Sequence, residues 1–131
     1  MYQSHLIALS IKRPVDEVYA FLAEPLNFPQ WAAVVGPDLR QIGPNEWAGD
    51  SPSGERIIRF CERNTYGVLD HAVYRPGEVP VTMPMRVAAN EEGCELTFAF
   101  YRRPGTTEAE FASGIEWVTS DFLALKSMLE A

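Results

Sequence analysis

Asp70 and His71 stand side by side and make the one sharp chemical pair in this chain. A histidine near neutral pKa serves as a general acid or base, or as a hydrogen-bond anchor for a ligand carbonyl. Neighbours on a strand point to opposite faces, so the two cannot both enter one cavity unless a bulge intervenes. They are not a ready dyad. If Leu69 and Val73 face inward, so does His71, beside Ile58 and Phe60; if Val68 and Ala72 face inward, Asp70 does. The first arrangement buries more apolar surface, but the loop with Pro76, Gly77 and Pro80 keeps register from deciding. A lone histidine on an apolar face is also often a satisfied structural residue. No Ser-His-Asp set, phosphate-cradling glycine loop or His-Glu-x-x-His occurs. Cys61 and Cys94 form no Cys-x-x-Cys pair and lie far in sequence from both histidines, so no structural metal is expected, and no motif asks for a cofactor.

The elements that must position these residues follow from apolar spacing and turn chemistry. His5–Ile11 reads as a first strand. Pro14, followed by Asp16 and Glu17, marks a helix start, with Val15, Val18, Tyr19 and Leu22 on one face. Pro25 and Pro29 bracket a second short helical segment that carries Phe28 and Trp31. Strand then follows strand: Leu39–Ile42, Glu46–Asp50, Glu55–Glu62, Tyr66–Tyr74, Val81–Ala89 and Cys94–Arg102, separated by Gly, Pro, Asn and Ser turns. Thr107-Glu108-Ala109-Glu110 has the capping-box spacing. Phe111, Ile115, Val118, Phe122, Leu125 and Leu129 then form one apolar stripe on a helix from Thr107 to Leu129. Such a helix must bury its stripe, and the only large surface on offer is the sheet. The expected fold class is α+β of the helix-grip type. A curved seven-stranded antiparallel sheet wraps a long C-terminal helix, with two short helices after the first strand.

Pairing through the Asn90–Gly93 turn puts Met83, Met85 and Val87 on one face with Leu96, Phe98 and Phe100. This wall is either the lining of an adaptable cavity, since methionine repacks easily, or plain core. Arg86 and Glu95 fall on the other face and are expected to pair at the surface. Gly114, on the inner side of the last helix, makes room either for a ligand or for another backbone. Tyr19, Tyr66, Trp31 and Trp47 offer polar tips at a cavity mouth or pack as core.

Pro14-Val15-Asp16-Glu17-Val18-Tyr19-Ala20-Phe21-Leu22, followed by Asn27-Phe28-Pro29-Gln30-Trp31, resembles the opening pattern of the START/polyketide-cyclase superfamily, also called SRPBCC. Tyr66–His71, Pro84–Val87 and Phe98–Arg102 resemble a bacterial branch of it with no settled activity. The resemblance covers nearly the whole chain and implies one domain over residues 1–131. It also implies a deep cavity between sheet and last helix for lipids, polyketides or other apolar small molecules. Trp31, Ile58, Phe60, Leu69, His71, Met83, Met85, Phe98, Phe100, Gly114, Val118 and Phe122 are the expected lining. Three functions stay open. One is a carrier or sensor for an apolar ligand. The second is a cyclase or dehydratase using His71, with Asp70 as the alternative. The third resembles the chaperone-ATPase-activator branch and predicts a filled core.

Composition narrows the partners. The 131 residues carry a formal charge of −7 and 47% hydrophobic residues, fit for one domain with a real core. An acidic surface repels phosphate backbones and anionic headgroups, so neither nucleic acid nor membrane insertion is expected. The start of the chain lacks a basic leader before a long apolar run, which makes the cytoplasm the expected location, with both thiols reduced. The oligomeric state has no signature in the sequence.

Overall fold

In a computed structural model that describes residues 1–131, short strands joined by tight turns lead to one long helix. β1 (Ser4–Ile11) precedes α1 (Val15–Ala23), a 3-10 turn (Pro25–Asn27) and α2 (Phe28–Trp31). β2 (Arg40–Gly43), β3 (Glu46–Ser51), β4 (Gly54–Phe60), β5 (His71–Tyr74), β6 (Met85–Asn90) and β7 (Gly93–Tyr101) follow. α3 (Glu108–Glu130) comes last. Pro14 sits at the N-cap of α1, where no helical N–H is needed. α3 opens with the full capping box. Thr107 Oγ1 accepts from the Glu110 N–H at 3.1 Å, and Glu110 accepts from the Thr107 N–H at 3.0 Å. No helix is long and apolar enough to cross a membrane.

The strands form two antiparallel sheets, β1-β7-β6 and β2-β3-β4-β5, not the single seven-stranded sheet expected. The break lies between β5 and the segment entering β6, where only Val68–Arg86 and His71–Met83 pair as bridges. Its cause is local. His71 and Met83 exchange both backbone bonds, at 3.3 and 2.9 Å. Pro84 has no N–H to offer. Leu69 donates to the Met85 carbonyl at 2.8 Å, but the Met85 N–H goes to Asp70 Oδ1 at 2.9 Å instead of returning to Leu69. Further along, Asn64 Oδ1 accepts from the Tyr66 and Val68 N–H groups and bends the chain before the seam. The strands expected over Tyr66–Tyr74 and Val81–Ala89 are therefore regular only over His71–Tyr74 and Met85–Asn90.

Met85 lies opposite Phe98 and Val87 opposite Leu96, so the apolar wall faces the core as its parity requires. The expected Arg86–Glu95 pair does not form. Arg86 lies opposite Thr97, and its guanidinium turns across the seam to Asp70, while Glu95 accepts from Ser10 Oγ at 2.7 Å. α3 buries Phe111, Phe122 and Leu125, with Ile115, Val118 and Leu129 partly covered. Phe122 and Leu125 join Ile11, Ile58, Met85 and Leu96 in the most deeply buried part of the core.

Gly67 makes the seam possible. Its φ is +73°, the Val87 N–H donates to its carbonyl at 3.0 Å, and a Cβ there would sit 2.1 Å from the Val87 oxygen. Gly77 has a φ of +86° with open space around it. Gly67→Ala should lower the unfolding free energy by roughly 1–3 kcal/mol in urea titration. Gly77→Ala should lose less, because it carries the backbone strain without the collision.

Candidate functional site

The two sheets and α3 do not close completely. A cavity of about 330 Å³ remains, within the range of about 300–1,000 Å³ usual for small-molecule sites. Phe28 and Trp31 of α2 line it, with His71 and Val73 of β5, Met83 at the seam, Phe98 and Phe100 of β7, and Val118 and Phe122 of α3. Gly114 shapes its wall. A Cβ on Gly114 would meet Phe100 Cζ at 2.8 Å, so the missing side chain admits an aromatic ring, not a ligand or a second backbone. That ring stacks on Phe111 with centroids 5.5 Å apart.

His71 faces inward and is 8% exposed. Phe28 meets it edge-on at 5.8 Å between centroids, and Phe98 stacks on it at 5.6 Å. Its Nδ1 lies 3.0 Å from the Leu69 carbonyl oxygen. A carbonyl only accepts, so Nδ1 carries the proton and donates, and Nε2 is left as an unpartnered acceptor. Burial among rings disfavours the imidazolium and pushes the pKa below its ordinary value. Asp70 points the other way and never meets the cavity. Burial pushes its carboxyl up, but hydrogen bonds from Arg86 (3.0 Å to each oxygen) and the Met85 N–H outweigh that and hold it below its ordinary value.

The sequence matches no protein-family model and no curated protein. Solved structures do match its fold. The Aha1 dimer from Colwellia psychrerythraea superposes with a TM-score of 0.76 at 14% identity, over 98% of this chain and 96% of that one. A START superfamily protein from Mycobacterium smegmatis gives 0.69 at 9% identity, over 97% of each chain. This chain has a START-like fold. DynU16, from the dynemicin biosynthetic locus, gives 0.73 at 19% identity, over 98% of this chain and 47% of that one. At such identities the likeness concerns the fold alone.

In this START-like fold eight of the twelve residues expected at the lining border the cavity: Trp31, His71, Met83, Phe98, Phe100, Gly114, Val118 and Phe122. The other four do not. Ile58 is wholly buried in the core. Phe60, Leu69 and Met85 border a separate crevice of about 20 Å³. The reason is Phe28, whose ring packs edge-on against Phe60 at 5.6 Å and His71 at 5.8 Å and walls that side off. Of the four aromatic side chains the sequence offered as polar tips, only Trp31 borders the cavity, and its Nε1 is buried in the core without a partner. Tyr19 is occupied by the Asn64 N–H at 2.8 Å, and Tyr66 is exposed.

Arg56, Arg75, Arg103, Glu78 and Asp121, which the sequence did not single out, also border the cavity. Strand parity contained part of the signal. Arg56 alternates with Ile58 and Phe60, and Arg75 with His71 and Val73, so both lie on inward positions. Asp121 projects from α3, is half-buried, and accepts one long bond of 3.4 Å from the Ala33 N–H. Burial raises its pKa from 3.8 to about 6.

The folded protein thus keeps the Asp121 proton up to about pH 6, whereas the unfolded chain releases it near 3.8. The native state binds more protons across this window, so Asp121 makes stability fall as pH rises through it. Asp121→Asn should be the more stable protein at pH 7.5, by roughly 1 kcal/mol after allowance for solvent screening. Thermal melts should show the gap closing as the pH drops towards 3.8, the ordinary value.

Proposed function

We propose that this protein binds an apolar small molecule in the cavity between its sheets and α3, as a carrier or sensor. The observation that carries the reading is the cavity itself: about 330 Å³, walled by Phe28, Trp31, Met83, Phe98, Phe100 and Phe122. Aromatic and methionine side chains give large contact area and adapt to shape. His71 Nε2, which accepts from no protein group, supplies a polar contact that orients a guest. START-like folds are generally ligand-binding folds, which agrees with this reading.

A cyclase- or dehydratase-type reaction is the second reading, and one observation favours it. His71, neutral with a free Nε2, lines the same cavity as Asp121, whose pKa lies at about 6. A compound that copurifies with the protein and is converted by wild type but not by His71→Gln would establish it. The interaction reading requires a filled core, and the open cavity does not favour it.

Val118→Trp tests the binding reading, because the indole would occupy the cavity from α3. The neutral fluorophore N-phenyl-1-naphthylamine should brighten and shift to the blue on titration with wild type. Val118→Trp should weaken that binding about tenfold or more. Equal titration curves for the two proteins would place the probe elsewhere and contradict the proposal.

A further inference from the structure

We infer that the ligand carries an anionic group, held at the cavity mouth by Arg56, Arg75 and Arg103. The inference rests on the binding reading above and specifies its ligand class as apolar compounds ending in a carboxylate, sulfonate or phosphate.

Three arginines converge on one opening of a chain whose net charge is −7. The β4–β5 register explains two of them. Ile58 pairs with Val73 and Ile57 with Tyr74, so one step further the same register sets Arg56 opposite Arg75. Like charges directly opposite each other on a sheet are unfavourable. Arg103 follows β7 and approaches the same mouth, where its Nη1 donates to the Val73 carbonyl at 3.4 Å.

Local carboxylates do not neutralise the group. Elsewhere Arg13, Arg40, Arg63, Arg86 and Lys126 each have an acidic partner at 3.0 Å or closer. At the mouth the closest ion pair is Arg103 with Glu78, at 4.0 Å, and no carboxylate comes that near the guanidinium of Arg56 or Arg75. Glu78 is further engaged by the Arg75 backbone N–H at 2.7 Å. The Arg56 guanidinium is bonded to Ser53 Oγ and to backbone carbonyls, and Arg75 to the Ser53 carbonyl at 3.0 Å. Each guanidinium has five N–H donors, so donors remain. Burial, and then the charges of Arg75 and Arg103, lower the Arg56 pKa, with Glu78 opposing. Asp121 stands on the α3 wall as the remaining carboxyl, leaving three cations against two acids around the cavity. A planar guanidinium fork suits a bidentate oxyanion, and the apolar interior suits the rest of such a molecule.

Two probes with one chromophore test this. N-phenyl-1-naphthylamine is neutral; 8-anilinonaphthalene-1-sulfonate adds a single anionic group. Wild type should bind the sulfonate at least about tenfold tighter than the neutral probe, with the advantage shrinking as salt is added. The triple variant Arg56→Gln, Arg75→Gln, Arg103→Gln should lose that preference while keeping the neutral probe's affinity, which also reports an intact cavity. If the triple variant does not fold, Arg56→Gln and Arg75→Gln singly should each cut the preference about threefold. A wild type that binds both probes equally, or a preference that survives the substitutions, overturns the anion assignment alone. Failure of both probes to bind overturns the binding reading and this assignment with it.

Discussion

One backbone N–H in the wrong place for a sheet organises this molecule. Met85 donates to the Asp70 carboxylate where an antiparallel ladder would have it donate to the Leu69 carbonyl. The displaced carbonyl is then free for His71 Nδ1, and the carboxylate also holds Arg86 through both oxygens. A regular seven-stranded sheet is interrupted, and the two backbone groups displaced from the ladder, the Met85 N–H and the Leu69 carbonyl, each find a side-chain partner. That satisfaction is what permits a break in a buried ladder, because an unpaired backbone group there would cost roughly 1–3 kcal/mol. The break separates the sheets just where His71 and Met83 become cavity wall.

The same exchange gives Asp70 and His71 separate tasks. They are sequence neighbours on opposite faces, and neither acts on the other as a catalytic dyad would. Asp70 serves the seam from the outer side, where Arg86 keeps it ionised. His71 serves the cavity from the inner side, where surrounding rings keep it neutral. The electrostatics grade from an apolar interior with one imidazole acceptor to a mouth with three guanidiniums. Such a gradient matches a guest that is apolar at one end and charged at the other.

The parts that were legible in the sequence obey a period. α3 was readable from the stripe Phe111 to Leu129 and the Thr107–Glu110 capping box, and the β6–β7 wall from parity across Asn90–Gly93. The apolar company of Leu69 and Val73 leaned towards an inward His71 but left Asp70 as the alternative, and the structure decides between them. The seam was not legible, since a side chain intercepting a backbone bond leaves no periodic trace, and Arg86 was matched to Glu95 for want of it. The division of the lining residues was hidden as well, because it depends on where the Phe28 ring lands. The arginines were half visible. Arg56 and Arg75 sit at inward parity, but charged residues at strand ends ordinarily face water, and only the register shows them meeting.

The exchange at the seam makes a direct statement about one proton, and ¹⁵N NMR of histidine-labelled protein reads it. The account predicts a neutral His71 ring protonated on Nδ1 at pH 6.5, the ordinary histidine value. It also predicts that Asp70→Ala erodes this tautomer preference, because the Met85 N–H then competes for the Leu69 carbonyl. A ring protonated on Nε2, or an imidazolium at neutral pH, would contradict the account at its centre.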